Sequence, residues 1–292
     1  MSESMRAEEL RKTALAKQRT GEIAESIELY DAAFALADDE EARELITINK
    51  ADAMIQIERT GPEVQALPSI VMRRRKPHHT FLAAYALVFK YRLENELKRA
   101  TFYGELALKT AEEAEEKFWT SAALNELGSI YEIDSEFDRA IDCFQRAATL
   151  IENFEDPAAH RVMYGAALQN LGSSKILNDE YEEGIAWIER ALAWIDSPTY
   201  TAEAYIDLCY GYSAVENVEK ARYYGETGLE LATESRQIRN AHYLLGEVHY
   251  KLGDLDKATF HFDELARFYP EFRNLKSLLF AIDLRSMVNL KL

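Results

Sequence analysis

With 292 residues and 48% apolar side chains, the chain has ample material for a buried core. Its 51 acidic against 34 basic residues give a formal charge of −17. That balance disfavours a uniform phosphate-binding surface and repels anionic membranes, so neither nucleic acid nor membrane is expected as a partner.

The first residues, MSESMRAEELRKTALAKQ, are polar and lack the apolar segment of a secretory signal. No stretch approaches the roughly 20 apolar residues of a spanning helix. Cys143 and Cys209 lie far apart and in no metal-ligand spacing, which suits a reducing compartment. A cytoplasmic location is therefore expected.

In chain order, the first distinctive feature is the basic run Arg73-Arg74-Arg75-Lys76, followed by Pro77, His78 and His79. Three readings fit it: a nucleic-acid or phosphate patch, cations favoured at a helix C-terminus before a Pro-marked break, or docking onto an acidic partner or onto the chain's own acidic helices. Further on, Leu124, Leu127, Gly128 and Tyr131 recur at i, i+3, i+4 and i+7, the stripe of an amphipathic helix. A turn at Asp134–Ser135 follows, then a second stripe of Phe137, Ala140, Ile141, Phe144 and Ala147. Residues 165–195 repeat the arrangement: Leu168, Leu171 and Gly172, a turn at Asn178–Asp179, then Tyr181, Gly184, Ile188 and Ala191. Cys209 and Ala221 hold the equivalent small positions of the next unit. In 239–269, Leu245, Gly246 and His249 precede a turn at Gly253–Asp254, then Leu255, Ala258, Phe262 and Leu265, with Pro270 closing the unit.

A small residue thus recurs twelve positions after another: Gly128 and Ala140, Gly172 and Gly184, Cys209 and Ala221, Gly246 and Ala258. Mid-helix glycine costs about 1 kcal/mol relative to alanine. Its repeated use predicts a close helix crossing at one point of every unit. Residues 274–290 form one further amphipathic segment with Leu275, Leu278, Leu279 and Ile282 inward. Its opposite strip, Phe280, Leu284, Met287 and Val288, is also apolar. Either a wide groove buries both strips, or the second is an interface to a partner or a second copy.

The pattern resembles the tetratricopeptide repeat (TPR) family, whose unit carries W-x2-L-G-x2-Y…A-x3-F…A…P. The matching segments are LNELGSIYEIDSEFDRAIDCFQRA at Leu124–Ala147 and HYLLGEVHYKLGDLDKATFHFDEL from His242, with Pro270 after it. Weaker copies place Ser26, Tyr30 and Ala33, and Ala100, Gly104 and Ala107, at the second-helix positions; Ala66 and Ile70 form the poorest copy. The second-helix small residues fall at 26, 66, 100, 140, 184, 221 and 258, a mean spacing of about 39 residues against 34 for the family. Such long-period arrays are similar to those of bacterial peptide-sensing regulators and kinesin light chains.

The resemblance implies an all-α, right-handed α-solenoid of about seven helix-turn-helix repeats plus a capping helix at about 274–290, forming one superhelical domain over residues 1–292. No Trp occupies the family's first-helix position, where Leu124, Leu168, Tyr205 and His242 stand instead. The second repeat, about 41–76, is read as degenerate, because Pro68 falls mid-course in its second helix and predicts a kink or early stop.

In this family the first helix of each pair lines the groove that binds a ligand. Carried onto this chain, the groove positions begin with Tyr85, Phe89 and Arg92, then Asn125, Ser129 and Glu132. They continue with Gln169, Asn170 and Ser173, then Tyr210, and end with Asn240, Tyr243, Glu247 and Tyr250. Asn and Gln can pair with the main chain of an extended peptide, and Tyr adds rigid apolar area with a polar tip. The family's carboxylate clamp is not matched: Glu132 and Glu247 stand in the expected groove with Arg92 as the opposing cation. A neutral or basic protein segment is therefore the expected partner.

Catalytic signatures are missing: there is no Gly-rich phosphate loop, G-x-S-x-G or HExxH. His242 and His249 on one predicted helix and His261 on the next are read as core or groove residues, so no metal and no cofactor are expected. The expected function is a non-enzymatic interaction scaffold. The alternatives are a peptide-sensing regulator whose superhelix changes pitch on binding, or a non-catalytic subunit of an enzyme.

Overall fold

The apolar stripes of the sequence are helices in the computed structural model, which describes residues 2–268. Pro270, the expected capping helix and the strip of Phe280, Leu284, Met287 and Val288 lie outside the described residues. The chain divides into two units, residues 1–130 and residues 131 onward. The first contains α1 (Glu3–Arg19), α2 (Ile23–Leu36), α3 (Glu40–Gln56), α4 (Pro62–Arg73), α5 (Pro77–Leu93) and α6 (Leu97–Glu113), and ends within α7 (Lys117–Ile133). The second holds the last residues of α7, then α8 (Phe137–Glu152), α9 (Arg161–Leu177), α10 (Tyr181–Leu192), α11 (Pro198–Ala214), α12 (Val218–Leu231), α13 (Ser235–Lys251) and α14 (Leu255–Phe268). A 3-10 turn, Pro157–His160, precedes α9. These are seven consecutive helix pairs among the described residues, as the repeat spacing predicts.

One local device closes every pair. A residue in the left-handed region sits between the two helices: Gly21, Glu58, Asn95, Ser135, Asp179, Glu216 and Gly253. The next residue's N–H donates to the carbonyl five positions back, as in Glu96 to Tyr91 (2.8 Å), Glu136 to Tyr131 (2.8 Å), Asn217 to Tyr212 (2.9 Å) and Asp254 to His249 (2.9 Å). This is a Schellman closure, which satisfies helix-end carbonyls and turns the chain back sharply. Glycine suits such a position because a side chain there strains the backbone by about 1 kcal/mol. Glu216, with φ 60°, is therefore expected to gain on the order of 0.5–1 kcal/mol in Glu216→Gly. A urea midpoint that does not rise would contradict this account of the turn.

Within each unit the first helices of successive pairs touch in a row, α1 to α3 to α5 and α9 to α11 to α13. Second helices pack on their own partners and on the next first helix, as α2 does on α1 and α3, and α10 on α9 and α11. α9 crosses α10 at close range. A Cβ on Gly172 would lie 2.5 Å from Ile188 Cγ1 and 2.7 Å from the Gly184 carbonyl oxygen. A Cβ on Gly184 would lie 2.6 Å from the Gly172 carbonyl oxygen. Each glycine is thus required by the other's backbone, which is the crossing that the twelve-residue spacing implied.

Large residues fill the remaining space. Tyr30, Phe144, Tyr164 and Tyr243 are among the largest fully buried side chains, and full burial of a comparable apolar residue stabilises by roughly 1.5–3 kcal/mol. Cys143 and Cys209 are buried free thiols. Burial pushes Cys143 up to about 11 and Cys209 also upward, so both stay protonated and serve as small apolar residues.

The second pair departs from expectation. α4 neither stops nor breaks at Pro68 but runs on to Arg73. Val64, Leu67, Ile70 and Val71 are buried along its length, and burial of that face outweighs the lost backbone hydrogen bond. The basic run after it is neutralised internally by the first turns of α3. Arg73 pairs with Glu44 (2.7 Å), Arg75 with Glu40 (2.5 Å) and Lys76 with Glu41 (3.0 Å), while His79 Nδ1 also meets Glu44 (2.9 Å). Docking onto the chain's own acidic helix, the third reading of that run, is the one the geometry supports.

Candidate functional site: an acid-lined cavity on the first helices of the N-terminal unit

Because side chains three and four apart share a helix face, Ile48, Asp52 and Gln56 of α3 point the same way, and so do Leu82, Tyr85 and Phe89 of α5. With Leu15 of α1, Asn49 of α3 and Glu126 of α7, they line a cavity of about 380 Å³ within the first unit. That volume lies in the range of ligand pockets. Its walls are apolar and aromatic at Leu15, Ile48, Leu82, Tyr85 and Phe89. Its polar groups are two amides, two carboxylates and the Tyr85 hydroxyl.

Asp52 accepts from Gln18 Nε2 at 2.6 Å and from Gln56 Nε2 at 3.1 Å. Burial pushes its pKa up, and those two amide donors pull the other way. Gln18 is fixed in turn, since Tyr30 donates its hydroxyl to Gln18 Oε1 at 2.9 Å. Glu126 is held by Arg92 Nη1 at 2.5 Å and faces the Tyr85 hydroxyl at 3.4 Å. Burial and the Glu126 charge both raise the Tyr85 pKa, so the phenol stays protonated and offers a donor. Asn49 Oδ1 accepts from Arg11, which is also engaged with Glu8. The lining contains no serine, cysteine or histidine.

Of the residues singled out from the sequence, Tyr85 and Phe89 line this cavity and Arg92 braces it through Glu126. Asn125 and Ser129 are half-buried on α7, with the Ser129 hydroxyl donating to the Asn125 carbonyl at 3.1 Å. In the second unit, Gln169, Ser173, Asn240 and Tyr243 are buried, while Asn170, Tyr210 and Glu247 are half-buried and Tyr250 is exposed. Tyr243 donates to Glu247 Oε1 at 3.0 Å. Glu132 is buried and accepts from Ser174 Oγ at 2.9 Å. That carboxylate joins α7 to α9. Sequence reasoning passed over Asn49, Asp52, Gln56 and Glu126. The polar i, i+4 pair Asp52 and Gln56 among Ala51, Ala53, Met54 and Ile55 in the last turns of α3 was the available signal.

A second titratable group lies in the other unit. His242, His249 and His261 are all buried where α13 meets α14. The Nδ1 atoms of His242 and His261 are 3.0 Å apart, and the His249 and His261 rings stack at 5.4 Å. Among the described residues no cluster of three or more His, Cys, Asp or Glu is arranged to hold a metal ion. No described helix is long and apolar enough to cross a membrane.

Two segments match tetratricopeptide repeat family models, residues 121–154 and residues 239–272. No curated protein sequence matches the chain. Solved structures do resemble it. The apo form of RapI aligns with a TM-score of 0.72 at 13% identity, over 97% of this chain and 84% of that one. The apo quorum sensor NprR from B. thuringiensis aligns with a TM-score of 0.71 at 16% identity, over 93% and 79%. A Rap protein complexed with Competence and Sporulation Factor gives 0.66 at 13% identity, over 92% and 78%. At such identities the likeness concerns the fold. The two matched segments carry the tetratricopeptide repeat pattern, and the seven closed helix pairs share the helical-repeat fold of these structures.

Proposed function

We propose that the protein is a non-enzymatic interaction module that holds a peptide or partner helix on the face formed by its first helices. The observation that carries this reading is the cavity on α1, α3, α5 and α7, with aromatic walls and a few fixed polar groups. Its framework is already packed, so little ordering entropy opposes binding. NprR is a quorum sensor and the Rap structure holds Competence and Sporulation Factor, which favours a signalling peptide as ligand and a regulatory output. A cytoplasmic location fits that role.

Phe89→Ala tests the reading directly. Phe89 is half-buried at the cavity wall, so the variant keeps its helical fold. It is expected to weaken capture of a peptide or protein ligand by about tenfold, the scale of an aromatic anchor. Affinity capture compared between wild type and variant, with circular dichroism melts as the folding control, measures this. Ligand capture that ignores the substitution would place binding elsewhere on the chain.

A further inference from the structure

The cavity holds more acid than it neutralises. Glu126 is matched by Arg92. Arg11 contacts Asn49 at the wall but spends its charge on Glu8 at 2.8 Å. Asp52 is left with two neutral amide donors, and among the described residues no cation comes within ion-pair distance of it. A carboxylate walled by apolar groups is costly without a charged partner. Beside it, Tyr85 and Phe89 supply aromatic faces and Leu82 and Ile48 aliphatic surface. An acidic end next to an apolar wall is complementary to a long alkyl stem that carries a positive head.

We propose that this cavity receives a lysine or arginine side chain of the bound peptide, its cationic head on Asp52 and its stem against Tyr85 and Phe89. This rests on the peptide-binding reading above and adds the identity of one ligand position. The direction of the Asp52 pKa fits it: burial raises the value in the free protein, and a bound cation would bring it down. The same linkage makes binding weaken as pH falls through the Asp52 range.

The test uses five pools of blocked nonapeptides, randomised except for a central residue fixed as Lys, Arg, Gln, Leu or Glu. Fluorescence anisotropy measures their binding to the full chain. Wild type is expected to bind the Lys and Arg pools about tenfold or more tightly than the Gln pool. Asp52→Asn, which keeps the shape and loses the charge, is expected to abolish that preference, bringing the Lys and Arg pools to the level of the Gln pool. The wild-type preference needs no variant, so it remains informative even if Asp52→Asn folds poorly. Equal binding of the Lys, Arg and Gln pools would overturn the proposal while leaving peptide binding intact. A cation preference that survives in folded Asp52→Asn would overturn the assignment to Asp52. Binding of no pool would remove the peptide reading itself.

Discussion

Replacing Gly172 with leucine is expected to destabilise the second unit by about 3 kcal/mol, the upper part of the range for overpacking a tight core. The reason is what the new side chain meets. Its Cβ would lie 2.7 Å from the Gly184 carbonyl oxygen and 2.9 Å from the Ile188 nitrogen, both backbone atoms. Neither can rotate away, so α9 and α10 must separate along their length and give up packing around Ile176 and Ile188. For a unit of this size the loss corresponds to a fall in melting temperature of roughly 6–12 °C. Gly246→Ala provides the contrast. Its Cβ would approach the Phe262 ring at 2.6 Å and 2.7 Å, and a ring can swing where a backbone cannot, so a cost of about 1 kcal/mol is expected. Calorimetric or urea unfolding of both variants decides the matter. An unchanged transition in Gly172→Leu would refute the crossing.

The second large effect is a loss of stability in mild acid that originates at His261. Burial, together with the neighbouring His242, His249 and Lys257, lowers its pKa from 6.5 to about 4. His242 and His249 are also lowered, chiefly by burial. The charges around the group do not rescue the protonated form. Glu264 favours a charged His242 and Arg267 opposes it. Around His249, Asp254 and Glu226 favour the charge while Lys257 and Arg222 oppose it. A histidine whose pKa is depressed by folding takes up its proton more readily when unfolded. Its contribution is therefore complete above pH 6.5, drains away between about pH 6.5 and 4, and stays lost below that. The shift corresponds to on the order of 2–3 kcal/mol. The contact between His242 and His261 adds to the sensitivity, because one Nδ1 must accept while the other donates.

Comparing wild type with His261→Gln between pH 7 and pH 4.5 isolates this contribution from the many carboxylates. Those whose pKa is lowered by folding, such as Glu22 and Glu180 with their lysines, lose stability further into acid. Asp52, raised by burial, acts in the opposite direction. The variant is expected to lose markedly less stability over that interval. Parallel pH profiles would show that the histidines are uncharged for some other reason and do not control acid stability.

The repeat was legible because its physics is local. Glycine at 128, 172 and 246 contradicts helix propensity, and only a close crossing justifies it. The turn chemistry at Asp134–Ser135, Asn178–Asp179 and Gly253–Asp254 likewise announces where each helix must reverse. Those features, with the amphipathic stripes, determined seven helix pairs without any tertiary information. What sequence reasoning missed or left open was settled by partners distant in the chain. Pro68 reads as a breaker, yet the buried face of α4 carries the helix past it. Arg73, Arg75 and Lys76 form a basic patch in the sequence, yet the acids of α3 lie within ion-pair reach. Glu132 occupies an expected groove position, yet Ser174, 42 residues on, draws it into the packing between helices.

The cavity shows the same division. Tyr85 and Phe89 could be taken from the first-helix register alone. Asp52 could not, because its significance comes from the absence of a charge opposite it, and only folded neighbours determine that. Propensity, periodicity and capping act over a few residues, so the sequence by itself determined the helices, their turns and the repeat. Ion pairing and desolvation depend on which side chains are brought together across 30 or more positions, so the tertiary structure decided which polar groups are neutralised by a charged neighbour and which, like Asp52, are held by neutral donors alone.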